Sequence, residues 1–182
     1  MPIVGLDLGF RHTGLVVAEP DHSPAGYHLI NWACFHTSNE GAKKHGLYVA
    51  VDDIQECKRI YRGVIDVIND VKATALVAET PSGGAKGARA ARAMGIVTGV
   101  VAAISEQAGI PSVWVQPHQS KMQVGGKKNA SKEEMEEAVF KIWPDFKWPK
   151  LEKELEHVCD AAAALVVAKS SDVYKYLRGR AP

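Results

Sequence analysis

Two apolar runs in this chain carry acids where a buried strand ordinarily carries none. Asp7 interrupts Ile3-Val4-Gly5-Leu6-Asp7-Leu8-Gly9, and Glu79 closes Ala75-Leu76-Val77-Ala78-Glu79. A third acid, Asp160, follows His157 by three residues in an apolar, alanine-rich stretch. A carboxylate in a dry element is costly unless positive charge offsets its lost hydration. Neither strand run contains Lys or Arg. Three acids and a histidine on core-type elements therefore point to a shared cation. A hard divalent metal bound largely by oxygen is the economical choice.

The order of elements follows from periodicity and breakers. Ile3 to Leu8 reads as a strand, Phe10 to Gly14 as a turn, and Leu15 to Glu19 as a second strand. Pro20-Asp21-His22-Ser23-Pro24 is a loop, and Tyr27 to Phe35 resumes an extended pattern, so the opening resembles an antiparallel meander. A loop is expected over 38–47. Ile54, Cys57, Tyr61, Val64, Ile65, Ile68 and Val71 then recur at helical spacing. After the strand ending at Glu79, a helix is predicted from Lys86 to Gln107, stopped by Gly109, and a short strand from Ile110 to Val115. Pro117 to Asn129 reads as a polar, basic loop. Ser131 is the N-cap of a further helix, with Glu133, Glu134 and Glu136 at its positive end. Trp143-Pro144 ends that helix. Another runs from about Leu151 to Lys169, and a short helical tail follows.

A chain of 182 residues can bury one sizeable core, so residues 1–182 are read as a single domain. The formal net charge of +1 identifies no partner, but its distribution does. Lys86, Arg89, Arg92, Lys121, Lys127, Lys128 and Lys132 span a stretch whose sole acid is Glu106. A polyanion could meet that segment without a high overall pI. Cys34, Cys57 and Cys159 are widely spaced and form no CxxC pair, which argues against a zinc ribbon or a disulfide framework. No uncharged run approaches the ~20 residues that span a bilayer. With no signal or transit pattern at the start, a reducing cytoplasm is the expected setting.

Each acid taken alone has an ordinary explanation. Asp7 could be a turn residue ahead of Gly9, Glu79 a strand end before Thr80-Pro81, and the His157/Asp160 pair a solvated helix face. The ensemble weighs the other way. His157 and Asp160 share one helix face with Ala161, Ala164 and Ala168, and small residues there let the helix approach a sheet. Glu156 falls toward the charged side with Glu152 and is expected in solvent. Two divalent ions ~4 Å apart in such a site activate water and stabilise a leaving oxygen in phosphodiester hydrolysis.

These residues resemble those of RuvC-type Holliday junction resolvases. The likeness is carried by Gly5-Leu6-Asp7-Leu8-Gly9 with Thr13-Gly14, by Glu79 and the long Ala/Gly-rich helix, by Val124-Gly125-Gly126-Lys127-Lys128-Asn129-Ala130-Ser131-Lys132, and by the helix bearing His157, Asp160 and Ala161 to Leu165. It covers most of the chain. It implies an α/β, ribonuclease H-like fold with a mixed five-stranded sheet flanked by helices, and a homodimer. The implied activity is magnesium-dependent nicking of two opposed strands at a four-way DNA junction.

The same resemblance makes Asp7, Glu79, His157 and Asp160 the ligands of two Mg2+ ions. The position of His157 is often Asp in that family. An imidazole brings less charge than a carboxylate, which tilts the preference toward Mn2+. Lys132 matches a basic residue near the scissile phosphate. Arg89 and Arg92 are expected to face DNA, and Lys127 and Lys128 to contact its backbone. Gly95 and Gly99 form a Gly-x-x-x-Gly with a partial role in the dimer. Many relatives carry an aromatic residue just after the glutamate, whereas here the stretch is Thr80-Pro81-Ser82-Gly83-Gly84. Three other classes compete: a ribonuclease H-like nuclease acting on structured RNA, a sugar-kinase or actin-type ATPase, and a non-catalytic junction-binding protein. The ATPase needs paired domains for which this chain is too short.

Overall fold

The computed structural model describes residues 1–36, 49–81 and 87–179. The loop expected over 38–47, the Ser82-Gly83-Gly84 stretch and Lys86 lie outside the described residues. Strands β1 (Ile3–Leu8), β2 (His12–Pro20) and β3 (Tyr27–His36) form the antiparallel meander. Two short strands, β4 (Leu76–Glu79) and β5 (Ser112–Val115), complete a five-stranded sheet in the order β3-β2-β1-β4-β5. β4 runs parallel to both β1 and β5. The sheet is thus mixed, and it changes from antiparallel to parallel at β1.

The helices are α1 (Val49–Val71), α2 (Ala88–Ala108), α3 (Pro117–Val124), α4 (Lys132–Ile142), α5 (Glu152–Ala168) and α6 (Asp172–Arg178). They cover both faces of the sheet, and strand alternation decides which residue meets which layer. Val4, Leu6 and Leu8 of β1, with Leu76 and Ala78 of β4, pack with α1 and α2 in one core. Ile3 and Val77 belong to the other core, built largely on α5. Asp7 and Glu79 share parity with Ile3 and Val77, so both side chains are directed to the α5 face.

Alpha-helix α5 lies very close to that face because two strands offer glycine beneath it. A Cβ added to Gly5 would come within 2.7 Å of the Ala161 carbonyl oxygen, and one on Gly14 within 2.5 Å of the His157 backbone. Ala161, Ala162, Ala163 and Ala164 are all fully buried. The close helix approach read from the alanines is therefore present, and the strand glycines are its other half.

Three local expectations are corrected. The turn after β1 is shorter than expected, since His12, Thr13 and Gly14 already pair with β1 and β3. Ile54 is 51% exposed, while Ile60, Val64 and Ile68 supply the buried stripe of α1. The basic segment after Pro117 is not all loop, because its first eight residues form α3. Pro117 occupies the first turn, where a missing N–H costs nothing, and the Gln119 side chain accepts a 2.9 Å bond from the Gln116 N–H. The N-cap reading of Ser131 holds: its hydroxyl accepts from the Glu134 N–H at 3.3 Å, and Glu134 accepts in return from the Ser131 N–H.

Candidate active site

Asp7 and Glu79 sit at the C-terminal ends of two adjacent parallel strands, with Leu6 opposite Ala78 in the register. Open α/β sheets bind ligands at this end, where the strand order switches. Across the gap, α5 contributes His157 and Asp160. His157 Nδ1 lies 2.6 Å from Asp7 Oδ2, and both side chains are about four-fifths shielded from solvent (21% and 18% exposed). Asp7, Glu79, Glu156 and Asp160 line one cleft of about 480 Å3, together with Lys121, Lys132, Phe10 and Met94. The strand acids, the α5 acid and the histidine expected to act together are thus brought together.

The electrostatics of this cleft are those of closely spaced, partly buried acids. Burial pushes Glu79 up to about 8, and Asp160 and Asp7 add to that shift. Asp160 is likewise raised, by burial first and then by Asp7 and Glu156. Three groups of the chain oppose the effect, His157 among them at Asp160. Ser120, 2% exposed, donates a 3.0 Å hydrogen bond to Glu79 Oε2, and Lys121 faces both acids. His157 is raised chiefly by its bond to Asp7. Such a donor set fits a divalent cation, which would offset the mutual repulsion of these acids. Among the described residues, no three His, Cys, Asp or Glu side chains are already closed to coordinating distance.

Beside the cleft is a small histidine cluster. His12 stacks on His157 with ring centroids 5.7 Å apart, and its Nδ1 lies 2.8 Å from Nδ1 of His36. His36 Nε2 in turn lies 3.4 Å from a Glu154 carboxylate oxygen. Burial first, then His36 and His157, lower the proton affinity of His12.

No family model matches the chain, and no curated protein sequence matches it significantly. Solved structures do. Thermus thermophilus RuvC in complex with Holliday junction substrate superposes with a TM-score of 0.74 at 23% identity, over 98% of this chain and 96% of that one. A second Thermus thermophilus RuvC structure gives 0.69 at 24% identity, over 92% of each chain. The yeast mitochondrial Holliday junction resolvase gives 0.54 at 12% identity, over 97% of this chain and 83% of the other. The chain has the RuvC fold. The ribonuclease H-like sheet expected from the resemblance is therefore present, with its helices in place.

Within this RuvC fold Lys121, Lys132, Arg89 and Arg92 stand in or beside the cleft, whereas Lys127 borders a separate surface hollow. Lys132 begins α4 at the cleft rim and pairs with Glu156. Lys121 lines the cleft itself. Arg89 and Arg92 line an adjoining cavity of about 510 Å3 with Phe10 and Arg11, and Arg92 also pairs with Asp53. Lys127 is 2.5 Å from Glu134, and Lys128 is exposed.

Two further residues bear on the site, Ser120 buried behind Glu79 and Glu156 in the cleft. Ser120 lay within a stretch read as loop, and only Pro117 signalled a helix there. Glu156 was expected in solvent, but its side chain is 33% exposed and faces the cleft. The wall that half-covers it belongs to α4, which α5 meets only in three dimensions.

Proposed function

We propose that this chain is a divalent-metal-dependent endonuclease that cuts branched DNA. Four-way junctions are its preferred substrate, and it works as a homodimer that nicks two opposed strands. The observation that carries this reading is the convergence of Asp7, Glu79, His157 and Asp160 on one side of a RuvC-fold sheet. The cleft opens beside Lys121 and Lys132. The match to a RuvC bound to Holliday junction substrate supports the same choice of partner.

In this reading Asp7, Glu79, His157 and Asp160 hold two Mg2+ ions, with Mn2+ a workable replacement. When bound, the ions supply charge at the attacking and leaving oxygens of the phosphodiester. The chain's own groups have separate tasks. Ser120 fixes the Glu79 carboxylate by hydrogen bonding, and α5 orients His157 and Asp160 from a helix seated on strand glycines. Lys132 places a fixed positive charge at the rim, where negative charge on the phosphate grows during hydrolysis. Lys86, Arg89, Arg92, Lys121, Lys127 and Lys128 neutralise backbone phosphates and set the register of the duplex arms.

The exposed side of α2 supports self-association. Ala88, Ala91, Gly95, Gly99, Ala102 and Ala103 are all exposed there, and neither Gly95 nor Gly99 has an atom within 4 Å of where a Cβ would stand. By length and apolarity α2 also resembles a membrane span. Its Val97, Val101 and Ile104, however, are buried against the sheet. One nuclease domain working on DNA in the cytoplasm is the setting that fits these features. Cleavage of a four-way junction, a flap, linear duplex and structured RNA, with and without Mg2+, tests the reading. Selective cutting of the junction is expected, and preference for structured RNA would replace DNA as the substrate.

A further inference from the structure

Glu156 is an acid of the cleft to which the ligand set above gives no task. It lies one helical turn before Asp160 on α5, lines the same cleft as Asp7 and Glu79, and adds to the repulsion that raises Asp160. It would also repel an entering phosphate. Among the described residues its direct ionic partner is the Lys132 ammonium, which contacts Glu156 Oε1. Lys132 needs such a partner. It is the first residue of α4, its side chain is 67% exposed, and a four-carbon stem at that position samples many rotamers. The Glu156 hydrogen bond is also the leading reason that Lys132 holds its proton more tightly than an ordinary lysine.

We propose that Glu156 is a positioning residue that holds the Lys132 ammonium at the cleft rim, aimed at the phosphate to be cut. This rests on the nuclease reading above and deepens it. An exposed ion pair adds little to folding, so the return for keeping an acid here lies in orientation. The role also predicts opposite signs for binding and chemistry. Without Glu156 the cleft loses a negative charge and takes DNA at least as tightly, while the unguided lysine stabilises the transition state less well.

The test compares wild type, Glu156→Ala, Glu156→Gln, Lys132→Ala and the Glu156→Ala/Lys132→Ala double variant. Single-turnover cleavage is measured on saturating four-way junction in Mg2+, with junction Kd and thermal melting measured in parallel. Glu156→Ala is expected to cleave about tenfold more slowly, an effect typical of a misplaced catalytic group. Its Kd should be unchanged or lower and its melting temperature close to wild type. Glu156→Gln keeps an oxygen acceptor and should recover part of the rate. In the Lys132→Ala background, losing Glu156 should change the rate little.

Multiplicative losses in the double variant would overturn the proposal, because Glu156 would then act independently of Lys132. A Glu156→Ala defect cured by raising Mg2+ or Mn2+ would also overturn it, by making Glu156 a metal ligand. So would a wild-type rate in Glu156→Ala, which reduces the pair to a surface contact. Wild-type protein that cuts no branched DNA would instead remove the nuclease reading on which the inference stands.

Discussion

At the scale of single residues, Glu79 and Asp160 are acids that the fold has made reluctant to ionise. Their proton affinities are raised, Glu79 to about 8, with burial as the first cause. The folded chain therefore keeps protons that the unfolded chain has already released above ordinary carboxylate values. Stability of the metal-free protein should fall as pH rises through that window toward 8. A divalent ion displaces those protons, so its benefit should grow as they become easier to remove. The gain in melting temperature on adding Mg2+ is expected to be a few degrees larger at pH 8 than at pH 6, since about 1 kcal/mol moves a domain of this size by about 2–4 °C. A Mg2+ increment that is flat or shrinks over that range contradicts the ligand assignment.

His157 belongs to the same scale. A carboxylate in its place is a harder, more highly charged donor, so His157→Asp should keep cleavage within about tenfold of wild type and shift the preference from Mn2+ toward Mg2+. Titrating both ions in single-turnover assays checks this. Loss of cleavage with every ion would assign His157 a role other than ligation.

At the scale of elements, the site depends on how closely α5 lies on the sheet. Gly14 pairs with Asp7 across β1 and β2, and the His157 backbone lies directly over it. Gly14→Ala cannot be absorbed by a flexible side chain, because the blocking atoms are mostly backbone. It should cost about 1–3 kcal/mol in urea unfolding, as overpacking does. It should also slow cleavage more than tenfold where the variant is still folded, because His157 is pushed away from Asp7. Unchanged stability and rate would mean that α5 has more freedom than its contacts indicate.

The same packing explains what the sequence disclosed. Asp7, Glu79 and Asp160 stand out in the sequence because each breaks an otherwise apolar pattern, and the fold brings all three to one cleft. α3 was not legible, because its polar, basic composition carries no apolar stripe and its Pro117 start looks like any loop punctuation. Glu156 was misread for a different reason. Helical periodicity places it beside Glu152 on the charged side of α5, but the preceding helix α4 folds back over that side, a contact that periodicity within α5 does not reveal.

At the scale of the whole molecule, the proposed nicking of two opposed strands needs two clefts held at a fixed separation. The exposed small-residue side of α2 is the surface proposed to join them. Gly99→Leu should leave the monomer fold intact, since open space surrounds that position and leucine favours helix. It should also block close helix contact. Sedimentation is expected to show a dimer for wild type and a monomer for the variant, with coordinated two-strand nicking replaced by single nicks. A variant that stays dimeric moves the interface elsewhere.

Junction nicking by this cleft is tested by single-turnover cleavage of a four-way junction by wild type and Asp7→Asn, with matched linear duplex and with Mg2+ present or withheld. Wild type is expected to cut the junction far faster than linear duplex and to stop without a divalent ion. Asp7→Asn should lose at least about a thousandfold in rate, the order expected when a group essential to transition-state stabilisation is removed, while binding the junction nearly as well. Junction cleavage by Asp7→Asn at the wild-type rate in saturating Mg2+ would contradict nicking by this cleft.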